Sequence, residues 1–88
     1  MITITDRAKQ ELKALMVENG VSLEEGLRLL PNDSGQFVLR IGTEMSADQV
    51  VEYDGYKVLL IGVEYLKMLD GKIVDCRETD EGNQLFMR

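Results

Sequence analysis

The segment LDGKIVDCRE, residues 69–78, joins a turn to a strand and holds the only cysteine of the chain, Cys76. Asp70-Gly71 is a turn dipeptide, because glycine reaches positive φ without steric cost. KIVDCRE (72–78) then predicts a strand in which Val74 and Cys76 point to one face of the sheet. The segment therefore predicts that a helix ends and a strand begins near residue 71.

The residues before this turn predict a short helix. In GVEYLKML (62–69), Val63, Leu66 and Leu69 recur at a spacing of three, which favours two helical turns with one buried side. Glu64 and Lys67 fall on the exposed side.

Further upstream, QVVEYDGYKVLL (49–60) predicts a β-hairpin around Asp54-Gly55. A two-residue loop there pairs Tyr53 with Tyr56, Glu52 with Lys57 and Val51 with Val58. One face then carries the tyrosines and valines, and the other carries an opposite-charge pair.

The N-terminal part predicts a strand, a helix and two more strands. ITIT (2–5) reads as a strand, and Thr5 or Asp6 can cap the helix that follows. The helix is marked by the apolar residues Ala8, Leu12, Leu15 and Met16, and it ends at Asn19-Gly20. LRLL (27–30) and QFVLRI (36–41) are strands on either side of the turn PNDSG (31–35), and QLFM (84–87) is the last strand. The prediction is one α+β domain, residues 1–88, made mostly of β-strands.

Composition narrows the class of protein further. Of the 88 residues, 44% are hydrophobic and 30% are charged, which is typical of a globular domain. A net charge of -6 repels nucleic acid, and the apolar run Val58–Val63 is too short to span a membrane. MITITDRAKQ (1–10) lacks the pattern of a secretory signal, and one cysteine forms no internal disulfide. We therefore expect a cytoplasmic protein that binds neither nucleic acid nor membranes.

Residues suited to catalysis or metal binding are few. Cys76 lies beside Val74 on a strand, and we expect it to be a buried hydrophobe rather than a reactive thiol or a metal ligand. With no histidine, a nucleophile lacks its usual base, so we expect no enzyme activity. The acidic groups Glu24-Glu25 and Glu78, Asp80 and Glu81 could in principle bind a hard cation, but solvated surface is the expected role.

Four motifs resemble one known family when they are taken in order. They are ITITDRAKQELKALM (2–16), GLRL (26–29), YDGYKVLL (53–60) and LKMLDGKIVDC (66–76). In this order and spacing they resemble the HesB-like family, the A-type iron-sulfur cluster carrier domain, over nearly the whole chain. The resemblance implies a barrel-like sandwich of short strands with a flanking helix, and dimers or higher oligomers. It also implies proteins that hold iron or an iron-sulfur cluster for delivery to apo-proteins.

The ligand positions of that family are not filled in this sequence. Typical members have one cysteine in a serine-glycine-rich loop and a C-G-C pair in a C-terminal tail, because a cluster is usually held by four thiolates. Here Ser34-Gly35 is followed directly by Gln36-Phe37, and Leu85–Arg88 falls where the family's last strand lies. Asp33 and Ser34 do not replace a thiolate. Cys76 matches an aromatic core position of the family and not a ligand.

The sequence therefore leaves two candidate functions. The first is a non-enzymatic HesB-like domain without a cofactor or bound metal, acting as a protein-binding or regulatory module for iron-sulfur assembly or client proteins. The alternative is a weak or transient carrier of iron or a cluster, using Cys76, carboxylates or the thiols of a partner. A homodimer would supply two copies of Cys76, against the four thiolates that a cluster usually needs.

Overall fold

Short elements follow one another along the chain in the computed structural model, which describes all residues 1–88. Their bounds are β1 Thr3–Ile4, α1 Asp6–Glu18, β2 Glu25–Pro31, β3 Phe37–Thr43, β4 Gln49–Tyr53, β5 Tyr56–Ile61, α2 Val63–Leu66, β6 Ile73–Thr79 and β7 Gly82–Met87. Neither helix has the length and apolar character needed to cross a membrane.

The strands form two sheets. One has three strands in the order β1-β6-β7, and the other has four in the order β3-β2-β5-β4. Strand pairing is antiparallel except for β1 with β6 and β2 with β5, which are parallel. The predicted α+β class, rich in short strands, is confirmed, and both sheets are open, so the sandwich does not close into a barrel.

Local signals set both ends of helix α1. The Thr5 hydroxyl oxygen accepts a hydrogen bond from the Ala8 N–H at 3.2 Å, so Thr5 is the N-cap and Asp6 is the first helical residue. At the other end the Asn19 N–H donates to the Leu15 carbonyl at 3.1 Å, and Gly20 has φ +65°. The predicted helix and its stop are confirmed.

The apolar face of α1 packs against strands of both sheets. Ala8, Leu12 and Met16 are completely buried and belong to the same core cluster as Leu59 and Leu69. Burying a leucine or methionine of this size contributes about 2 kcal/mol each. One core is therefore shared by the helix and the two sheets.

The hairpin β4–β5 has the predicted turn but a different register beyond it. Asp54 and Gly55 both have positive φ, +52° and +82°, and Tyr53 pairs with Tyr56 as predicted. Glu52 also pairs with Lys57, again as predicted. Val51, however, pairs with Leu59 and not with Val58, because the register shifts between Val51 and Glu52. The predicted pair was wrong because an extra residue enters β5 at a bulge.

Strand β5 lies at the centre of its sheet, and Gly26 permits the close approach of its neighbour β2. A Cβ atom at Gly26 would collide with the Lys57 carbonyl oxygen. The glycine of the GLRL motif therefore has a structural cause, since only a residue without a side chain fits there.

Helix α2 is shorter than predicted. It covers only Val63–Leu66, and Val63 is 56% exposed, contrary to the predicted buried side. Leu69 is buried, but it lies after the helix, in the turns that lead to Gly71. The helix ends at Leu66, so Leu69 is not part of it, and the spacing of three does not place Val63 and Leu69 on one helical face.

A buried ion pair fastens the β3–β4 connection to strand β2. Arg28 lies within β2, and its guanidinium donates to both carboxylate oxygens of Asp48 and, at 3.1 Å, to the Thr43 carbonyl. The Met45 N–H donates to Asp48 at 2.7 Å. The two charged side chains are only 11% and 3% exposed. Each buried charge is thus paired and hydrogen-bonded, as burial requires.

The same contacts control the titration of Asp48. Burial by itself raises the pKa of this carboxyl, but hydrogen bonds from Arg28 and the Met45 N–H outweigh it, together with the Arg28 charge. The pKa in the folded protein is therefore lower than the ordinary value of 3.8. Its contribution to stability is complete above that value and is lost as the pH falls below it.

We predict that Asp48→Asn lowers the free energy of unfolding by about 2 kcal/mol, because Arg28 then keeps a buried charge without a counter-charge. Urea denaturation followed by circular dichroism measures the change. Glu44→Gln in the same connection is the matched control. Glu44 contacts Lys57 at 3.3 Å but is 46% exposed, so its loss should cost at most about 0.5 kcal/mol. Equal effects of the two variants would contradict the role given to the buried pair.

Candidate functional site

Cys76 lies in the middle of β6 and its side chain is buried. It is 5% exposed and belongs to the core cluster together with Val74, which confirms the predicted face of the strand. Its N–H donates to the adjacent carboxylate of Asp75 at 2.8 Å. The predicted burial of this thiol is confirmed.

Charges near Cys76 do not activate it. Burial raises the pKa of the Cys76 thiol above its ordinary value of 9.0, and the Glu11 carboxylate raises it further, while Arg7 opposes the shift only in part. The thiol is therefore protonated at neutral pH, and a protonated thiol is neither a good nucleophile nor a metal ligand.

Of the acidic candidates, Glu78 lines the same small pocket as Cys76. Glu24, Glu78, Asp80 and Glu81 are exposed, and Glu25 accepts a hydrogen bond from the Ser22 hydroxyl at 3.2 Å. Nowhere in the chain do three or more cysteine, histidine, aspartate or glutamate residues come together in a way that could hold a metal ion. The carboxylates are placed as solvated surface groups.

The loop that the sequence resemblance singled out is a compact turn. The Asn32 side-chain oxygen accepts hydrogen bonds from the N–H groups of Ser34 and Gln36, at 2.9 and 3.0 Å. Gly35 has φ +81°, which this tight reversal requires. The turn brings Gly35 and Gln36 to the rim of the largest concavity of the protein.

That concavity is an apolar groove of about 750 Å³, a volume typical of ligand sites. Twelve of its 15 lining residues are hydrophobic. Its lining includes the core residues Leu12, Leu59 and Leu69, and it opens between β3 and β7. We call it the β3–β7 groove. Lys72 is its only charged lining residue, and Cys76 does not reach it.

Sequence reasoning missed this groove, because the strands that line it lie far apart in the chain. It also gave no role to Asp75. The Asp75 carboxylate accepts from the Thr5 hydroxyl at 2.8 Å and from Arg88 at 3.2 Å, so it ties the start of α1 to β6 and to Arg88. Hydrogen bonds from the Cys76 N–H and from Thr5 lower the pKa of Asp75.

We predict that the native protein reacts with a thiol reagent at Cys76 at least about tenfold more slowly than the urea-unfolded protein, since reaction needs local opening and a thiolate. Absorbance of the released chromophore gives both rates. The control is Cys76→Ala combined with Ser46→Cys, which puts a single thiol at an exposed position. Native labelling of Cys76 as fast as that of the control would show that the thiol is accessible.

No protein-family model and no curated protein matches this chain by sequence. Solved structures do match it. IscA with a 2Fe-2S cluster aligns over 100% of this chain and 84% of its own, at 20% identity and a TM-score of 0.66. Escherichia coli SufA, involved in the biosynthesis of iron-sulfur clusters, aligns over 99% and 83%, at 22% identity and a TM-score of 0.75.

A third similar structure is a protein from Aquifex aeolicus solved by NMR. It aligns over 99% of this chain and 89% of its own, at 26% identity and a TM-score of 0.60. All three alignments cover both sheets and both helices, since they span nearly every residue of the chain. The resemblance predicted from the four sequence motifs is thus confirmed in the architecture, and the chain has the HesB-like fold.

Proposed function

We propose that this chain is a non-enzymatic protein-binding module built on the HesB-like fold. The observation that carries the proposal is the β3–β7 groove, because a concave cavity of this volume with a mostly hydrophobic lining is typical of a binding site. The groove holds no cysteine or carboxylate, so its chemistry favours apolar contact over metal binding.

The structurally similar proteins suggest which class of partner this chain binds. SufA is described as involved in the biosynthesis of iron-sulfur clusters, and IscA was solved with such a cluster. We place this chain in the same process, as a binding or regulatory partner of assembly proteins or of their client proteins. The unpaired cysteine fits a reducing cytoplasm.

A transient carrier of iron or a cluster is the second candidate, and the fold shared with IscA favours it. Cys76 argues against it, because the thiol is 5% exposed and burial raises its pKa. A single buried thiol also supplies one of the four thiolates that usually hold a cluster. Any cargo would need ligands from a partner.

Anaerobic reconstitution with ferrous iron, sulfide and a reductant separates the two candidates. We predict that the desalted protein retains far less than one iron per chain and has no visible absorption band, and that Cys76→Ala behaves identically. IscA, which was solved with a 2Fe-2S cluster, is treated in parallel as the positive control. Stoichiometric iron with a band that disappears in Cys76→Ala would establish the carrier and reject the binding module.

A photo-crosslinking residue placed in the groove tests protein binding directly. Gln36 lines the groove and is exposed, and Gln10 is an exposed glutamine on α1 outside it. We predict that a benzoylphenylalanine at position 36 forms a discrete covalent adduct in the native host, whereas one at position 10 does not. Mass spectrometry identifies the partner, and calorimetry with the purified partner measures its affinity.

Two results of this experiment would count against the module. The first is no adduct at position 36, and the second is the same set of adducts at positions 36 and 10. Circular dichroism of both variants checks that the fold is kept, which the exposure of the two glutamines favours.

A further inference from the structure

The β3–β7 groove is bordered by two unpaired strand edges. Strand β3 is hydrogen-bonded only to β2, and β7 only to β6, so each is the outer strand of its sheet. An outer strand presents a row of backbone N–H and C=O groups that can pair with another chain. The two sheets therefore end at the same groove.

The residues that line the groove show that it follows these edges. Phe37, Val38 and Leu39 of β3 all line it, and so do the three consecutive residues Leu85–Met87 of β7. Successive side chains of a strand point to opposite faces of the sheet. A cavity that meets three in a row on both strands reaches their edges, while Leu29, Leu59 and Val74 add the inner faces of the two sheets to its lining.

We propose that the β3–β7 groove binds an extended segment of a partner protein by β-strand addition. The segment lies between the two edges and makes one continuous sheet in the order β1-β6-β7-partner-β3-β2-β5-β4. Main-chain hydrogen bonds supply affinity in this mode of binding, and side-chain pockets supply specificity. The inference rests on the proposed protein-binding function and names the form of its ligand.

The strand pairing of this chain shows which kind of occupant fits between the two edges. A strand inserted between two edges must have both of its own edges free, and every strand of this chain is already paired on at least one side. A folded second copy therefore does not supply it. The occupant is a segment of another protein that is extended and outside any sheet before it binds.

The residues that line the groove indicate which side chains the bound segment carries. Twelve of the 15 lining residues are hydrophobic, so the segment is apolar. Lys72 is exposed and takes part in none of the ion pairs of the chain. It is the only charged residue that lines the groove, in a protein whose net charge is -6. A carboxylate on the bound segment complements the positive charge of Lys72. Phe37–Leu39 of β3 borders the groove, so about three residues of the segment, roughly 10 Å, lie against β3.

Binding of a synthetic peptide to the whole chain tests the proposal. The probe is a fluorescent peptide of about seven residues, alternating valine and threonine, with one terminal glutamate; a second peptide has lysine in its place. We expect Lys72→Glu to weaken the glutamate peptide about fivefold at low salt and to strengthen the lysine peptide. Lys67→Glu, an exposed lysine outside the groove, is the matched control and should change neither affinity.

The backbone contacts are tested separately. N-methylation of one central amide of the glutamate peptide should weaken binding about tenfold, because each side of an inserted strand donates hydrogen bonds to a neighbouring edge. Amide hydrogen exchange should slow in residues 37–39 and 85–87 when the peptide is bound, and stay unchanged in β4, the outer strand on the far side of its sheet.

Several outcomes would overturn strand addition. They are no binding of either peptide, affinities that Lys72→Glu and Lys67→Glu change equally, tolerance of N-methylation, or exchange protection away from β3 and β7. If the crosslinking at position 36 still identifies a partner, the protein-binding function stands and only the form of the ligand is wrong. If no partner is found there either, both fail.

Discussion

Burial of the apolar face of helix α1 against both sheets is the interaction on which the rest of this structure depends. Ala8, Leu12 and Met16 are completely buried, and α1 packs against β5 of one sheet and β6 of the other. The Thr5 cap and its hydrogen bond to Asp75 fix where the helix begins relative to β6. A small domain with two open sheets thus has one core, because a single helix covers both.

The same arrangement creates the groove. Helix α1 contacts both sheets, and neither β3 nor β7 has a neighbour on its outer edge. The unpaired edges of β3 and β7 border the groove, and buried core side chains such as Leu12 and Leu59 form its floor. Exposed edges of this kind carry a risk of non-specific association, so a specific partner that covers them would stabilise the protein as well as bind it.

Much of this fold was predictable from local chemistry, and the errors have physical causes. The Asp54-Gly55 turn and the alternation through Val74 and Cys76 depend on a few neighbouring residues, so this turn and this strand face were predicted correctly, whereas the cap was left open between Thr5 and Asp6 and the face of α2 was wrong at Val63. The Val51 pairing failed because β5 also pairs with β2, and a central strand must fit two neighbours at once. Arg28 left a visible signal, since a lone arginine between buried leucines needs a counter-charge, but the sequence did not identify Asp48.

The α+β class, the position of helix α1, most strand positions, the burial of Cys76 and the resemblance to the HesB-like family can all be derived from the sequence. These follow from side-chain period, capping and turn conformation, which involve neighbours in the chain. The Arg28–Asp48 pair, the bulge in β5 and the groove bordered by β3 and β7 become visible only in the folded chain. Each of these depends on the approach of residues far apart in sequence, which is set by how the two sheets and α1 pack together.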